Sequence, residues 1–191
     1  AMLRHGNYKE FLLNTPAFRN YFDSVVITSD VVRSFSDAAW EEQLECFRSR
    51  GVTVAACDMT AEFSHYPGLS MLDSGIATAE EAYLAVCETA ARLNMAGCRK
   101  LILPLQKNGE LQFNDHEALR RIGLFLQRVA KLDIELHLAV LPHRYGDGVQ
   151  AMAELRERFG IDAKLYCDTG SVLCCREYTS TIKHGYPKHP C

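Results

Sequence analysis

The stretch IELHLAVLPH, residues 134–143, decides the fold. Its even positions, Leu136, Leu138 and Val140, are apolar and suit a sheet face that helices cover. Its odd positions, which begin with Glu135, are mixed in polarity. A strand with an apolar back and a partly polar front fits the wall of a parallel barrel, whose carboxyl end carries function.

In the rest of the chain, segments whose apolar residues recur at the spacing of a strand alternate with segments whose apolar residues recur at the spacing of a helix. Strands separated by helices imply right-handed crossovers and a parallel sheet, because a tight turn cannot join parallel neighbours. No glycine-rich phosphate loop follows any strand, which weakens the alternative of a nucleotide-binding doubly wound sheet. The predicted fold class is α/β, with parallel βα repeats in an incomplete TIM-barrel-like arrangement of about five to six βα units. The expected strands are 24–31, 52–59, 100–105, 134–143 and 163–168.

Each expected helix has one apolar face and recognisable ends. The first spans 36–51 and ends at Gly51, and the last spans 149–160 and ends at Gly160. The two central helices open with capping boxes, formed by Thr78 with Glu81 and by Asn114 with Glu117. The residues expected on buried faces are Trp40, Leu44 and Phe47 in the first helix, Leu84, Cys87, Ala91 and Met95 in the second, and Leu119, Ile122, Leu126 and Val129 in the third.

Size and composition indicate one soluble domain over residues 1–191. The 24 acidic residues outnumber the 21 basic ones, which argues against a nucleic-acid partner. No apolar run reaches the roughly 18 residues of a membrane span, and no secretory signal is evident. Cys46, Cys57, Cys87 and Cys98 fall in predicted helices and strands, which favours a reducing, cytoplasmic setting over a disulfide framework.

The carboxyl-terminal segment is rich in cysteine and histidine. Zinc binding there is one interpretation, but the pairs of cysteines separated by two residues that are common in zinc sites are missing. A poorly specified terminal segment is the simpler interpretation. The residues concerned are Cys174, Cys175, His184, His189 and Cys191.

A second motif, LYCDTGSVL at 165–173, resembles the loop that carries the catalytic carboxylate of aspartic proteases. Such a loop belongs to an all-β fold, whereas a helix is predicted directly before this one. Only 23 residues follow Asp168, although a retroviral-type protease needs most of its chain after the motif. The protease interpretation is therefore disfavoured.

Three stretches together resemble the xylose isomerase-like barrel superfamily, which includes sugar-phosphate isomerases and epimerases, inosose dehydratases and endonuclease IV. Residues 51–105 (GVTVAACDM to LILPL) are similar to the family's third strand, its histidine-bearing loop and the approach to strand four. Residues 126–144 (LQRVAKLDIELHLAVLPHR) resemble the fifth strand, and 161–171 (IDAKLYCDTGS) resemble the sixth, which usually ends in Asp-Thr-Gly-His. An endonuclease IV-like function fits poorly with an acidic chain.

The resemblance implies a sugar or sugar phosphate as substrate and a divalent metal, Mn, Mg, Co or Zn, as cofactor. It implies that Asp168 is a metal ligand and that His65 and His143 are catalytic. Gln106 and Lys107, in the loop after the third predicted strand, are candidate contacts to a substrate hydroxyl or phosphate. Ser171 replaces the histidine of the strand-six motif and is a further substrate-binding candidate.

One departure from the family pattern leaves two functions open. Leu141 stands where the metal-binding glutamate of strand five belongs, and a leucine cannot ligate a cation. The chain is then either an isomerase or epimerase with a depleted metal site, or a non-catalytic relative that serves binding or assembly. Plainer roles also exist for Asp168 as a turn or capping acid, and for His65 and His143 as solvated histidines. His137 is expected to be a hydrogen-bonded core histidine.

The length of the chain suggests that the barrel is incomplete. The recognisable units begin at the family's second strand and end at its sixth, with the first strand lost or hidden in the opening 23 residues. An unclosed barrel exposes two strand edges, which invite pairing with another chain. We therefore expect a homo-oligomer, in the simplest case a dimer, or cover by the terminal segments.

Overall fold

The computed structural model describes residues 2–3, 23–60, 76–104, 116–139, 153 and 156–167. Four helices have defined bounds within these ranges: α1 (Ser29–Ser34), α2 (Asp37–Ser49), α3 (Ile76–Met95) and α4 (His116–Val129). Residues 156–159 are also helical. The six strands are β1 (Met2–Leu3), β2 (Ser24–Thr28), β3 (Thr53–Asp58), β4 (Lys100–Pro104), β5 (Glu135–Ala139) and β6 (Lys164–Tyr166).

The six strands form one parallel sheet in the order β1-β2-β3-β4-β5-β6. Because every strand pairs with the next one in the chain, the backbone winds in a single direction, as in a barrel. A doubly wound sheet would instead reverse its strand order near the middle. Within the described residues β1 and β6 do not pair, so the sheet is an open part of a barrel, and the predicted α/β class is confirmed.

The first barrel strand lies in the opening segment. Met2 pairs with Val26 and Leu3 pairs with Ile27, both in parallel register. Of the two possibilities left by the sequence, a lost strand and a hidden strand, the second is therefore correct.

Two predicted boundaries were wrong. The strand expected over 24–31 ends at Thr28, because Val31 and Val32 adopt helical spacing in α1 and are buried together in the core. Helix α3 begins at Ile76, so Thr78 lies inside the helix and does not cap it. Asn114 and the side chain of Leu119 lie outside the described residues.

The buried face of α3 also differs from the prediction. Leu84 is 61% exposed and Ala91 is exposed, while Cys87 and Met95 are only partly buried. Small residues on the core-facing side let the helix lie close to the strands, whereas the prediction gave weight to the large side chains. The buried residues of α3 are Ala82, Ala85, Val86, Thr89, Ala90 and Leu93.

The other predicted helical faces are confirmed. Trp40, Leu44 and Phe47 of α2 are buried. In α4 the residues Ile122, Leu126 and Val129 are buried as predicted, with Phe125 beside them. Both α2 and the helical residues 156–159 are followed by a glycine with positive φ, 64° at Gly51 and 59° at Gly160, as predicted for C-terminal stops.

The two faces of the sheet differ in the size of their side chains. The outer face packs its large apolar residues against the helices, and Leu136 and Leu138 of β5 belong to this layer as the sequence predicted; Val140 lies outside the described residues. The inner face holds a separate, smaller cluster of Ala56, Ile102 and Ala139. The helices are therefore held to one side of the sheet by a substantial core, and the other side is left for the barrel interior.

Arg92 of α3 joins the three consecutive helices on the outer face. Its guanidinium donates to the Val32 carbonyl of α1 at 2.6 Å and to the Asp37 carboxylate of α2 at 3.2 Å. Its own carbonyl accepts from the indole Nε1–H of Trp40 at 3.0 Å, and that side chain is 0% exposed. These bonds hold α1 and α2 against α3.

The cysteines and the lengths of the helices can be compared with the sequence analysis. No helix in the described ranges is long and apolar enough to cross a membrane. Five cysteines fall in those ranges, all with free thiols. Cys46, Cys57 and Cys87 lie within helices or strands, but Cys98 lies in the turn before β4 and is buried there.

Gly123 allows α4 to pack closely against the helical residues 156–159. A methyl group at this position would overlap the ring of Phe159. We predict that Gly123→Ala lowers the free energy of unfolding by about 1–3 kcal/mol through overpacking, although alanine alone would favour a helix by about 1 kcal/mol. Urea denaturation measures the effect. In a Phe159→Ala background the same change should become neutral or stabilising; equal destabilisation in both backgrounds would contradict the overlap.

Candidate functional site

The carboxyl ends of β2 to β6 form one edge of the sheet, which we call the carboxyl rim. Parallel strands direct the loops that follow them to the same side, and barrel enzymes build their active sites there. The register places Thr28 opposite Asp58, and Asp58 opposite Ile102. The rim residues are Thr28, Asp58, Pro104, Ala139 and Tyr166.

The site residues predicted from the sequence lie outside the described residues. This applies to His65 after β3, Gln106 and Lys107 after β4, and His143 after β5. It also applies to Asp168 and Ser171 after β6. Each follows, in the chain, a strand that ends at the carboxyl rim, and their roles stay predictions.

Asp58 is the carboxylate that the structure places at the rim itself. It is 7% exposed, and its Oδ1 accepts a hydrogen bond from the Thr60 backbone N–H at 2.8 Å. The backbone N–H of Met59, which lies between Asp58 and Thr60, donates to the Ile102 carbonyl at 3.0 Å. This bond extends the hydrogen bonding between β3 and β4. The Asp58 side chain therefore stabilises the turn that follows β3 and places its carboxylate at the carboxyl end of that strand.

Two further polar residues stand beside it, and the sequence analysis missed them. Ser29 and Asp30 follow β2 directly, in the segment that was predicted to be strand. Ser29 Oγ and Asp30 Oδ1 are buried, and neither has a hydrogen-bond partner in the described part of the chain. A buried polar atom left unpaired costs about 1–3 kcal/mol. The available signal was the run of three polar residues, Thr28 to Asp30, that ends a β-branched stretch.

Cys57 lies next to these acids but is not a candidate nucleophile. Burial raises the pKa of its thiol well above the usual value, and the negative charge of Asp58, the neighbouring Cys98 and the charge of Asp30 raise it further. The thiol therefore stays protonated and acts as an apolar core group. The charges of Asp30 and Asp58 therefore both act on this one thiol.

A second polar group lies at the opposite end of the sheet. Glu135 Oε1 accepts from Lys164 Nζ at 2.6 Å and lies 2.8 Å from His137 Nε2. His137 is thus hydrogen-bonded, as predicted, but it is only partly buried and not part of the core. Glu135 begins β5, four residues before the rim residue Ala139 and roughly 13 Å below it at ~3.3 Å per residue. This group stabilises the inner face and is too deep to belong to the rim site.

The described residues do not make a metal site by themselves. No group of three histidine, cysteine or acidic side chains suited to a cation occurs among them. At the rim they offer the carboxylates of Asp58 and Asp30, whereas a divalent ion held by oxygen atoms commonly takes six ligands or more. Any metal at this rim would therefore need further ligands from outside the described residues.

Comparison with solved structures identifies the architecture. No family model and no curated protein matches the sequence. The D-psicose 3-epimerase of Clostridium cellulolyticum H10, solved with D-tagatose, is similar with a TM-score of 0.67 and 15% identity, covering 86% of this chain and 58% of its own. The 3-keto-D-glucoside 4-epimerase YcjR of E. coli gives 0.67 and 10%, covering 86% and 65%.

A xylose isomerase-like TIM barrel protein of Mycobacterium smegmatis, solved with magnesium, gives a TM-score of 0.62 at 14% identity, covering 90% of this chain and 59% of its own. The described residues share the fold of these TIM barrels. The chain spans less than two thirds of each of these structures. Six strands wound in one direction account for the likeness, and the part of the barrel they form is open between β1 and β6 in the described residues.

The ion pair at the amino end of the barrel interior gives a pH-dependent contribution to stability. The hydrogen bonds from Lys164 and then His137 lower the pKa of Glu135 from 4.5 to about 2. A lowered folded-state pKa stabilises the protein above the unfolded value of 4.5, and this stabilisation is lost as the pH falls toward about 2. We predict that the melting temperature of Glu135→Gln depends less on pH between these values than that of the unaltered protein.

Scanning calorimetry at a series of pH values measures this difference. The matched control is Glu45→Gln, because Glu45 is an exposed partner of Arg48 on α2, with its side chain 70% accessible. The control should follow the unaltered protein throughout. Parallel curves for all three proteins would contradict the assigned role of Glu135.

Proposed function

We propose that the protein binds a sugar or a sugar phosphate at the carboxyl rim and acts on it as a metal-dependent isomerase or epimerase. The observation that carries the proposal is the one-directional sheet that ends in a rim with Asp58, Ser29 and Asp30, in the fold shared with two sugar epimerases. One of those epimerases was solved with a ketohexose, D-tagatose. A small polyol is therefore the substrate class that the site is best suited to bind.

The proposed roles follow the sequence pattern at the rim. Asp168 binds the divalent metal, which supplies polarisation of adjacent hydroxyl and carbonyl oxygens when it is bound. His65 and His143 take part in proton transfer at the substrate, for which imidazole is suited near neutral pH. Gln106, Lys107 and Ser171 bind the hydroxyl or phosphate groups and hold the substrate in place.

A second candidate is a non-catalytic relative that keeps the rim for binding or assembly. The specific observation in its favour is Leu141, at the place where the resemblance puts a metal-binding glutamate. Substrate binding does not need that carboxylate, whereas a complete metal site does. The two candidates therefore differ in metal affinity and turnover, and they share sugar binding.

Calorimetric titration with Mn²⁺, Co²⁺ and Zn²⁺ separates the candidates. We predict saturable binding to the unaltered protein and a loss of at least roughly tenfold in affinity for Asp168→Ala, because a carboxylate ligand is removed. The matched control is Asp162→Ala, an exposed aspartate before β6 that should bind metal as before. Conversion of D-fructose or D-tagatose, followed by NMR, then tests turnover.

Two results would decide against an enzyme. If no metal binds and no sugar is converted, the isomerase proposal fails, and sugar binding without turnover would support the second candidate. Leu141→Glu provides a further check: a gain in metal affinity in this variant would identify the leucine as the cause of the depleted site.

We also propose self-association in a cytoplasmic setting, without a nucleic-acid partner. Within the described residues, the open edges at β1 and β6 support self-association, and the free thiols of the five cysteines there support a reducing compartment. The excess of three negative charges argues against a phosphate backbone as partner. Sedimentation velocity should show a dimer or higher oligomer at micromolar concentration. A monomer whose β1 and β6 edges exchange amide hydrogens rapidly would contradict both self-association and cover by terminal segments.

A further inference from the structure

Asp58 faces the interior side of the sheet. Side chains alternate between the two faces of a strand, so Asp58 lies on the same face of β3 as Ala56, and Cys57 lies on the opposite face. Ala56 belongs to the inner cluster, whereas Cys57 belongs to the core that the helices cover. The carboxylate is therefore directed away from the helices, at the last residue of the strand.

The register with both neighbouring strands supports this orientation. On one side Asp58 pairs with Ile102, which belongs to the inner cluster. On the other side Ala56 pairs with Val26, which packs against that cluster, and two residues further along Asp58 pairs with Thr28. Asp58 and Thr28 therefore lie side by side on the interior side of the carboxyl rim.

The two carboxylate oxygens of Asp58 are in different states. Oδ1 accepts the hydrogen bond from the Thr60 backbone N–H at 2.8 Å, whereas Oδ2 has no hydrogen-bond or ion-pair partner in the part of the chain that the structure describes. The buried side-chain atoms that lack a partner there belong to Ser29, Asp30 and Gln43. Since Oδ2 is not among them, it reaches solvent although the residue is only 7% exposed. One oxygen thus holds the side chain in place, and the other is available to a ligand.

The chemistry of Oδ2 matches a sugar hydroxyl. A carboxylate oxygen can only accept hydrogen bonds, and a hydroxyl group donates one. A divalent cation would need more ligands than Asp58 supplies, and the described ranges contain no group of three side chains suited to hold one. We infer that Asp58 Oδ2 accepts a hydrogen bond from one hydroxyl of the sugar and thereby orients the substrate at the β2 and β3 side of the rim. This inference rests on the proposed sugar-binding function.

The bond to Thr60 prepares the carboxylate for this role. Because Oδ1 is already held by a backbone group, the side chain does not have to be ordered when the sugar binds, and such ordering would reduce affinity. An aspartate that only stabilises the turn would use Oδ1 alone. Asparagine separates the two roles, because it keeps Oδ1 as an acceptor and replaces Oδ2 by an amide NH2 group, which donates.

Sugar binding and stability, measured on the same variants, test the inference. The probes are D-fructose, D-tagatose and D-fructose 6-phosphate, titrated by calorimetry, with thermal unfolding recorded for each protein. We expect Asp58→Asn to keep the melting temperature of the unaltered protein and to bind the preferred sugar roughly tenfold more weakly, because a hydrogen bond to a charged acceptor is lost. Asp58→Ala removes both oxygens and should lower the melting temperature as well as the affinity.

Asp162→Asn is the matched control, because Asp162 is an exposed aspartate that precedes β6, at the amino end of the sheet. It should leave both the sugar affinity and the melting temperature unchanged. Equal sugar affinities for Asp58→Asn and the unaltered protein would overturn the role of Asp58 while leaving the proposed function in place. An unaltered protein that binds none of the three sugars would overturn both.

A measurement on the unaltered protein decides the matter if the Asp58 variants are destabilised or do not fold. The carboxyl carbon of Asp58, observed by ¹³C NMR, should shift as the preferred sugar saturates the protein, while that of Asp162 keeps its position. An Asp58 signal that does not move at saturation would overturn the inference.

Discussion

The parallel pairing of each strand with the next one in the chain is the constraint on which the rest of the structure depends. It is most extensive between β2 and β3 and between β4 and β5, with five residue pairs in each ladder and one register shift in the first, between Val25 and Val26. Parallel pairing requires a crossover between strands, and the described crossover helices lie on the outer face because the strand order never reverses. As a result, every strand ends at the same rim.

The two ends of the sheet differ in how their polar groups are paired. At the amino end Glu135 is satisfied by Lys164 and His137, so its charge supports the fold. At the carboxyl end Ser29 and Asp30 carry buried polar atoms without partners among the described residues. Satisfied polar groups contribute to stability, whereas unsatisfied ones cost stability and are explained by a ligand or water. This asymmetry agrees with the general division of barrels into a stabilising and a functional end.

The sequence predicted the helices better than the transitions between elements. The faces of α2 and α4 were correct because large apolar residues such as Trp40 and Leu126 recur at helical spacing. The face of α3 was wrong because alanines do the packing there and Leu84 points to solvent. Ser29 and Asp30 were missed because the β-branched residues on either side of them made the whole segment resemble one strand, and a one-dimensional pattern cannot locate its end.

The sequence by itself determined the class of the fold, since alternating periods with long crossovers permit little other than a parallel α/β sheet. It also indicated the family resemblance that the solved barrels bear out at the level of the fold. Only the tertiary structure decided that β1 lies in the opening residues and that Ser29 and Asp30 stand beside Asp58. Such facts depend on which backbone groups pair across the sheet and which polar atoms are left over, and both depend on contacts between residues far apart in the chain.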